Sequence, residues 1–486
     1  MNRLLRARNT FPAILLFGLF AMAARNADDP DMWWHLKTGQ YITEHRSIPH
    51  VDPFSFTRAG APWVAHEWLT ELFLYQAQRM AGWSGVIILF ALITAAAFFL
   101  VYLRCGPNSY VAGVFTLCGA FATITLWGAR PQILSLLLAS LWLFLLERSE
   151  GDPKLLWWTL PLTLLWVNLH AGFALGLALS AVFLAGEGLE SLRMKRAPGG
   201  LSNRSHLRHA ALILVLDLLL VPLNPNGLRL FYYPIETLRS TAMQNYIAEW
   251  ASPNFHRVHY FPLILLVLAT FVILSRMQST IRLRDFILLL VSLFASLISI
   301  RMIPFFVFIA VPLLARQVAD GLRKNPFEIS NQSSSSTAPK LFLNAAMILT
   351  MAIFALIHTA QVIQRQPQAV AEAFPEGAVG FLQSHPGSGP IFNHYDWGGY
   401  LIWKLYPGTR VFIDGRADLF EFAGVLDQFG GWATLSGDPN ALLNKYKVDF
   451  CLLDRNAPMT HILQLLPGWK SVYSDNKSVI FVRTSA

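Results

Sequence analysis

Over its first 360 residues the chain alternates long apolar runs with short polar ones, and then the pattern changes. Apolar runs fall at 11–24, 84–103, 110–127, 131–147, 155–169, 172–190, 209–223, 261–275, 285–300, 303–318 and 341–360. Runs near 20 residues are long enough for a helix to cross the hydrocarbon of a bilayer. They predict eleven spans, the least regular being 155–169 and 172–190, which flank Asn168, His170 and Gly172. Beyond Gln361, strand-like runs (Val411–Ile413, Phe450–Leu453, Val479–Val482) alternate with a helix-like stretch at Asn440–Tyr446. Turn pairs at Pro386-Gly387 and Asp438-Pro439 punctuate them, so a small α/β domain is predicted. The chain thus divides into a first span or signal anchor (1–24), a first loop with amphipathic helices (25–83), a multi-span domain (84–360) and a C-terminal α/β domain (361–486). The expected fold class is a polytopic α-helical membrane protein with a C-terminal extracytoplasmic α/β domain.

Composition sharpens this. Hydrophobic residues make up 54% of the chain and charged residues only 14%, against about 25% charged in soluble domains. The net charge of +9 is not a nucleic-acid footprint, because the aromatics lie in apolar contexts rather than among basic residues. The excess Lys and Arg sit in short loops and set orientation. With the N-terminus inside, Arg104, Arg148 and Lys154 fall inside, as do Arg193, Lys195, Arg196, Arg204 and Arg208, then Arg276, Arg282 and Arg284, then Arg316, Arg323, Lys324 and Lys340. The short outer loops at 128–132 and 169–172 hold only Arg130. The first loop and the C-terminal domain are then expected on the periplasmic or extracellular side of the cytoplasmic membrane. The apolar run at 11–24 follows Arg3, Arg6 and Arg8 and fits a signal peptide; a retained span is favoured because so many spans follow. The Ser-rich stretch Asn331–Thr337 reads as a flexible linker. Cys105, Cys118 and Cys451 have neither metal spacing nor a disulfide framework. Asn203, Asn331 and Asn476 head N-x-Ser sequons read as chance, since the first two fall in expected cytoplasmic loops.

Candidate chemistry concentrates in the first loop. Asp28, Asp29 and Asp31 precede Met32-Trp33-Trp34-His35; with a helix from Met32, Asp31 and His35 share a face. Clustered carboxylates at a membrane face can serve as a general base or hold a divalent cation against a phosphate. The bland alternative is a solvated helix start, with Trp33 and Trp34 anchored at the lipid interface. In Trp63–Glu71, His66 and Glu67 point to different faces, and HE without a second His at i+4 is not a zinc motif. This stretch reads as an amphipathic helix with Trp63, Trp68, Leu69 and Leu72 toward lipid. On the same side, polar groups mark span ends: Arg130, Asn168, His170, Glu249 and Arg301. Arg130, Arg301 and His170 suit a lipid phosphate, Arg because it contacts phosphate through two N–H groups. In the C-terminal domain, Asn393–Trp403 (with Asp396 and Trp397) and Val411–Asp418 (with Asp414 and Arg416) read either as an acceptor surface or as a turn with an internal ion pair. No P-loop, dinucleotide fingerprint, nucleophile elbow or metalloprotease helix is present in the sequence.

Taken together, the acidic cluster after a short first span, the many spans and the outer C-terminal domain resemble the GT-C superfamily of membrane glycosyltransferases. The loop is similar to a bacterial group with a D-P-D-x-W-W-H-L…D-P-F-S…H-E-W-L pattern, matched from Asp29 to Leu69. His394-Tyr395-Asp396-Trp397-Gly398 is loosely similar to the W-W-D-Y-G element of oligosaccharyltransferase catalytic subunits, with the aromatic positions changed. The resemblance implies transfer of a sugar from a polyprenyl-phosphate donor in the bilayer to a glycan, lipid or protein acceptor. Asp29 or Asp31 would be the base of an inverting displacement, with Asp28 alongside. Arg130 or Arg301 would take the phosphate, and His35 or His66 would orient the acid or assist with the phosphate. The resemblance implies no cofactor and leaves a divalent cation open. Two other classes compete: a transporter or flippase for a lipid-linked precursor, which inverted repeats would favour, and a non-catalytic membrane assembly protein.

Overall fold

The computed structural model describes residues 7–195, 204–276, 281–323, 338–385 and 389–484. Arg3, Arg6, Arg196, Asn203, Lys324, the stretch 331–337 and the Pro386-Gly387 turn lie outside the described residues. A helix occupies every expected span: Ala7–Ala23, Trp68–Arg104, Ser109–Thr123, Gln132–Arg148, Thr159–Leu169, Phe173–Lys195, Arg204–Leu220, Phe261–Ser275, Leu283–Ile298, Ile303–Arg323 and Ala338–Ala373. Among the described residues, seven helices are long and apolar enough to cross a membrane. This is a multi-pass membrane protein. The irregular 155–190 region resolves into two helices broken at His170–Gly172.

The chain folds into two compact units that do not follow the sequence divisions. The first comprises 1–25, 87–231 and 249–363; the second comprises 26–86, 232–248 and 364–486. The first loop and the C-terminal segment, separate by sequence pattern, thus belong to one unit.

In the first unit, helix Ser109–Thr123 packs on Ile303–Arg323, on Phe261–Ser275 and on Ala7–Ala23. Apolar side chains all round these helices fit burial against neighbours or lipid. The basic residues that charge counting placed inside do meet. Arg104 and Arg316 share Glu147 at 2.9 and 3.4 Å, while Arg284 and Arg282 both pair with Glu150. Arg284 also reaches Glu187 at 2.9 Å.

The second unit is built on a four-stranded sheet. Its strands are β1 (Ile391–Asn393), β2 (Phe450–Asp454), β3 (Trp469–Ser474) and β4 (Ser478–Arg483), in the order β1-β2-β4-β3. β1 and β2 are parallel and the other pairs antiparallel. β1 and β3 were not legible as strands, and Val411–Ile413 forms only an isolated bridge at Val411 rather than a strand. That bridge has two sides: Val411 pairs with Ile391 and with Ser55 of the first loop. Phe56 N donates to Val411 O at 3.0 Å, and Thr57 Oγ1 donates to Phe412 O at 2.6 Å. The first loop therefore supplies an added edge to the C-terminal sheet. Helix Met32–His45 starts where Pro30 predicts and packs on helix Gly398–Leu405.

The tryptophans correct the lipid-anchor expectation. Trp33, Trp34 and Trp63 are only 1%, 7% and 5% exposed. Trp33 makes edge contacts with Trp83, Phe374 and Tyr400. Aromatic rings of this size gain more from a packed interior than from an interface. The Trp63–Glu71 segment is likewise turned around. Glu67, Thr70 and Glu71 face inward while Phe73 is exposed, so its inner face is polar and the lipid-facing reading for Trp63 fails. The inward acids are tolerated because histidines meet them.

Candidate functional site

The head of the first loop is held rigidly. Gln366, fully buried, accepts the Ala27 N–H at 2.8 Å and donates to Ala27 O at 2.7 Å. Asp29 Oδ1 accepts the Asp31 N–H at 2.9 Å, and Asp31 Oδ1 accepts Trp34 Nε1–H at 3.3 Å. Asp28 is exposed, whereas Asp29 and Asp31 are half-buried. The opposing wall is made of glycine. A Cβ at Gly415 would lie 1.6 Å from Asp31 Oδ1, and one at Gly399 would lie 2.6 Å from Pro30 O. Only a residue without a side chain lets the acid and its helix start come this close.

Behind Gly415 sits a buried ion cluster. Arg416 donates to Asp52 at 2.7 Å and to Asp414 at 2.7 and 2.8 Å. All three are at most 2% exposed. The guanidinium lies over Trp63 and Phe54, 4.7 and 5.2 Å from the ring centroids. Burial would discharge it, but Asp414 and Asp52 hold it firmly charged. Asp52 also accepts the N–H groups of Phe54 and Ser55, so the Asp-Pro-Phe-Ser turn is shaped around this arginine. Arg416 and Asp414 thus join the first loop to the C-terminal domain inside the protein; the internal ion pair is the one of the two sequence readings that their burial fits. Trp397 is buried as well, while Asp396 is exposed.

A second polar layer follows. His35 lies between two carboxylates, Nδ1 at 3.2 Å from Glu71 and Nε2 at 3.6 Å from Glu67. His66 Nε2 is 3.4 Å from the other Glu67 oxygen, and its ring packs on Tyr233 at 4.3 Å. Tyr233 Oη–H donates to Asp418 at 3.2 Å. Burial alone would lower the His66 pKa, but Glu67 and Asp418 raise it above the ordinary histidine value. Burial pushes Asp418 up, while His66, Tyr233 and Arg416 pull it back. Tyr395 is held well above the usual phenol value, first by burial and then by Asp31, Asp414, Asp396 and Asp418. Its hydroxyl therefore stays protonated beside these acids. Among the described residues, no three His, Cys, Asp or Glu side chains are grouped as metal ligands.

The first unit holds the expected phosphate residues. Glu249 pairs with both Arg130 and Arg301, the latter at 3.3 Å. Burial would raise the Glu249 carboxyl, but Arg130 and Arg301 hold it below the usual carboxylate range. Arg301 stacks over Trp250 at 5.2 Å, and its buried Nε has no hydrogen-bond partner. His170 sits in the helix break. Its Nδ1 accepts the Gly172 N–H at 2.9 Å and lies 2.8 Å from Ser135 Oγ. A backbone N–H only donates, so the neutral ring carries its proton on Nε2. Asn168 ties down helix ends, donating to Leu164 O at 2.9 Å. The structure thus brings Arg130, Arg301 and Glu249 together in one unit. In the other it brings together Asp29, Asp31, Asp414 and Arg416, with His35, His66 and Glu67 adjoining.

Gln366, Tyr233 and Gly415 were not identifiable from sequence. Gln366 and Tyr233 lie in an unbroken helix and an amphipathic stretch that carry no motif, and Gly415 reads only as a turn glycine.

No family model and no curated protein matches the chain. Solved structures do. The archaeal oligosaccharyltransferase AglB from Archaeoglobus fulgidus, in complex with an inhibitory peptide and a dolichol-phosphate, aligns with a TM-score of 0.54 and 11% identity, over 98% of this chain and 74% of that one. ArnT from Cupriavidus metallidurans bound to undecaprenyl phosphate aligns with a TM-score of 0.50 and 12% identity, over 98% and 97%. Its apo state gives 0.51 and 14%, over 96% and 95%. At these identities the likeness concerns architecture alone: the chain shares the fold of these two proteins, the GT-C-like arrangement of many helices with a C-terminal domain that the sequence led one to expect.

Proposed function

We propose that the protein is a membrane glycosyltransferase that moves a sugar from a polyprenyl-phosphate donor to an acceptor hydroxyl outside the cytoplasm. The observation that carries this is Asp31, held against Gly415 beside Asp29 on a helix start that Gln366 and Arg416 brace. A base needs this kind of fixed placement, because general-base catalysis depends on hydrogen-bond reach to the proton it takes. Two neighbouring proteins with this fold carry dolichol-phosphate and undecaprenyl phosphate, which supports a lipid-linked donor.

In this reading Asp29 or Asp31 removes the acceptor's hydroxyl proton. The oxygen bonds to the anomeric carbon as the bond from that carbon to the phosphate oxygen breaks, with inversion. The electron pair leaves on the lipid phosphate. Arg130 and Arg301 receive it, and the unpartnered Arg301 Nε–H is a donor suited to a phosphate oxygen. His170 is the third residue of that set suited to the phosphate. Tyr395 donates to the acceptor or the sugar, and Asp396 and Trp397 stand at the acceptor side. The N-terminus is inside and the catalytic face periplasmic or extracellular. A second way for the acids to act would be to hold a divalent cation, with Asp29 and Asp31 as its carboxylate ligands and charge neutralisation at the phosphate as its chemistry; transfer that survives chelation excludes it. The test is Asp29→Asn and Asp31→Asn, each assayed for transfer from lipid-linked sugar. Full activity in both ends the base assignment.

A further inference from the structure

The C-terminal sheet has a cleft to which the transfer mechanism above assigns no role. Its volume is about 320 Å³, at the lower end of the roughly 300–1,000 Å³ typical of small-molecule sites. It opens at the carboxyl ends of β1 and β2, the only parallel pair among the described strands. Crevices at the carboxyl ends of parallel strands are where α/β sheets take ligands, because the chain leaves the sheet there and frees side chains.

The lining mixes two kinds of surface. Phe429 and Trp432 supply aromatic area, and Trp432 is fixed by its Nε1–H bond to Pro439 O at 3.1 Å. His394, Asp454 and Asn456 supply polar groups. His394 is anchored by its backbone N–H to Leu452 O at 3.0 Å, yet its buried Nδ1 has no hydrogen-bond partner. A buried ring nitrogen left unpaired is costly, so a hydrogen-bonding partner brought by a ligand is favoured there. Among the described residues no Lys or Arg lines the cleft; Arg455, between two lining residues, turns away to Asp475 O at 2.6 Å. A phosphate or carboxylate is therefore disfavoured by charge.

We infer that this cleft binds one neutral pyranose ring, its apolar C–H face on Phe429 and Trp432 and its hydroxyls on His394 Nδ1, Asp454 and Asn456. The inference deepens the transferase reading, on which it rests only for the sugar's purpose. His394 lines the cleft while the next residue, Tyr395, belongs to the acid cluster, so a glycan gripped here would run toward the acids as an extended acceptor. Saturation-transfer NMR on the full-length protein in detergent micelles tests it, with methyl glycosides of glucose, galactose, mannose and N-acetylglucosamine as probes.

At least one glycoside should bind with a dissociation constant on the order of 1 mM. Phe429→Leu keeps the apolar volume and should weaken it about tenfold, the scale on which an aromatic face contributes. Asn456→Ala, at an exposed position, should weaken it severalfold without altering the melting temperature. Asp31→Asn should abolish transfer and leave glycoside binding intact, so the two readings fail separately. The proposal is overturned if no glycoside binds, if both cleft variants bind as the parent does, or if hexanol displaces the sugar fully, which would mark a merely apolar pocket.

Discussion

The acids at the head of the first loop and the arginines around Glu249 are restrained in different ways. Asp31 is fixed by shape: a glycine wall on one side, a tryptophan N–H on the other, and the Arg416 cluster behind. Arg130 and Arg301 are fixed by charge, through one carboxylate they share. A steric mould tolerates little change and is independent of what binds. A shared counter-ion can be exchanged, because an incoming phosphate offers the arginines the same interaction. Under the proposed function, the difference would suit a base that must keep its position and a phosphate site that must fill and empty in each turnover.

The largest effect expected from breaking this contrast is at the acids. Asp31→Asn, or Asp29→Asn, should cut transfer by about 10²- to 10⁴-fold, the usual share of a general base, with an unchanged melting curve. Next comes the brace. Arg416→Met leaves Asp52 and Asp414 buried without a counter-charge, which typically costs about 3–5 kcal/mol. It should appear as a large fall in melting temperature, with activity lost in proportion to unfolding. Gly415→Ala tests the mould itself. Relief of a 1.6 Å overlap with Asp31 Oδ1 requires the Asp31 carboxylate to swing away from its place, at roughly 1–3 kcal/mol, and transfer should fall further than stability does. If Gly415→Ala retains full activity, placement by shape is not what the acid needs.

Smaller effects lie on the exchangeable side. Glu249→Gln removes the competitor for both arginines. It should lower the KM for the lipid-linked donor a few-fold, a change of about 1 kcal/mol, while kcat falls slightly as the empty site loosens. An increased KM would mean Glu249 positions the arginines rather than competing with the phosphate. The smallest effect is pH dependence in the acid-bearing unit. His66 has a raised pKa when folded, so its contribution is complete below the unfolded value near 6.5. It is lost as pH rises through the folded value. Melting temperature should decline across that window, and His66→Gln should flatten the slope.

The helices were readable because a long apolar helix writes itself as an uninterrupted apolar run, though only seven of the described ones are long and apolar enough to cross a membrane; the helix from Met32 follows Pro30, a residue at home where helices begin. The aspartates stood out in the sequence because three carboxylates so close together have no packing reason to exist, and the structure holds Asp31 in fixed contacts. What the pattern could not carry was partnership. Asp52 and Arg416 are 364 positions apart, and no local period records that they meet. Trp33, Trp34 and Trp63 were misplaced at the lipid surface for the same reason: their true partners, Tyr400, Phe374 and Arg416, lie in the last quarter of the chain. Glu67 and Glu71 reversed the expected polarity of their helix because His35 waits on the inner side.

The pairing of the first loop with Val411, Asp414 and Arg416 also has a consequence in time. A ribosome adding about 5–20 residues per second makes Asp52 tens of seconds before the arginine that braces it. Throughout that interval the nascent chain has its aspartates but no wall to set them against. The last segment made is the one that switches the first into shape, so a chain truncated before Arg416 should insert in the membrane with every motif of the first loop intact and remain inert.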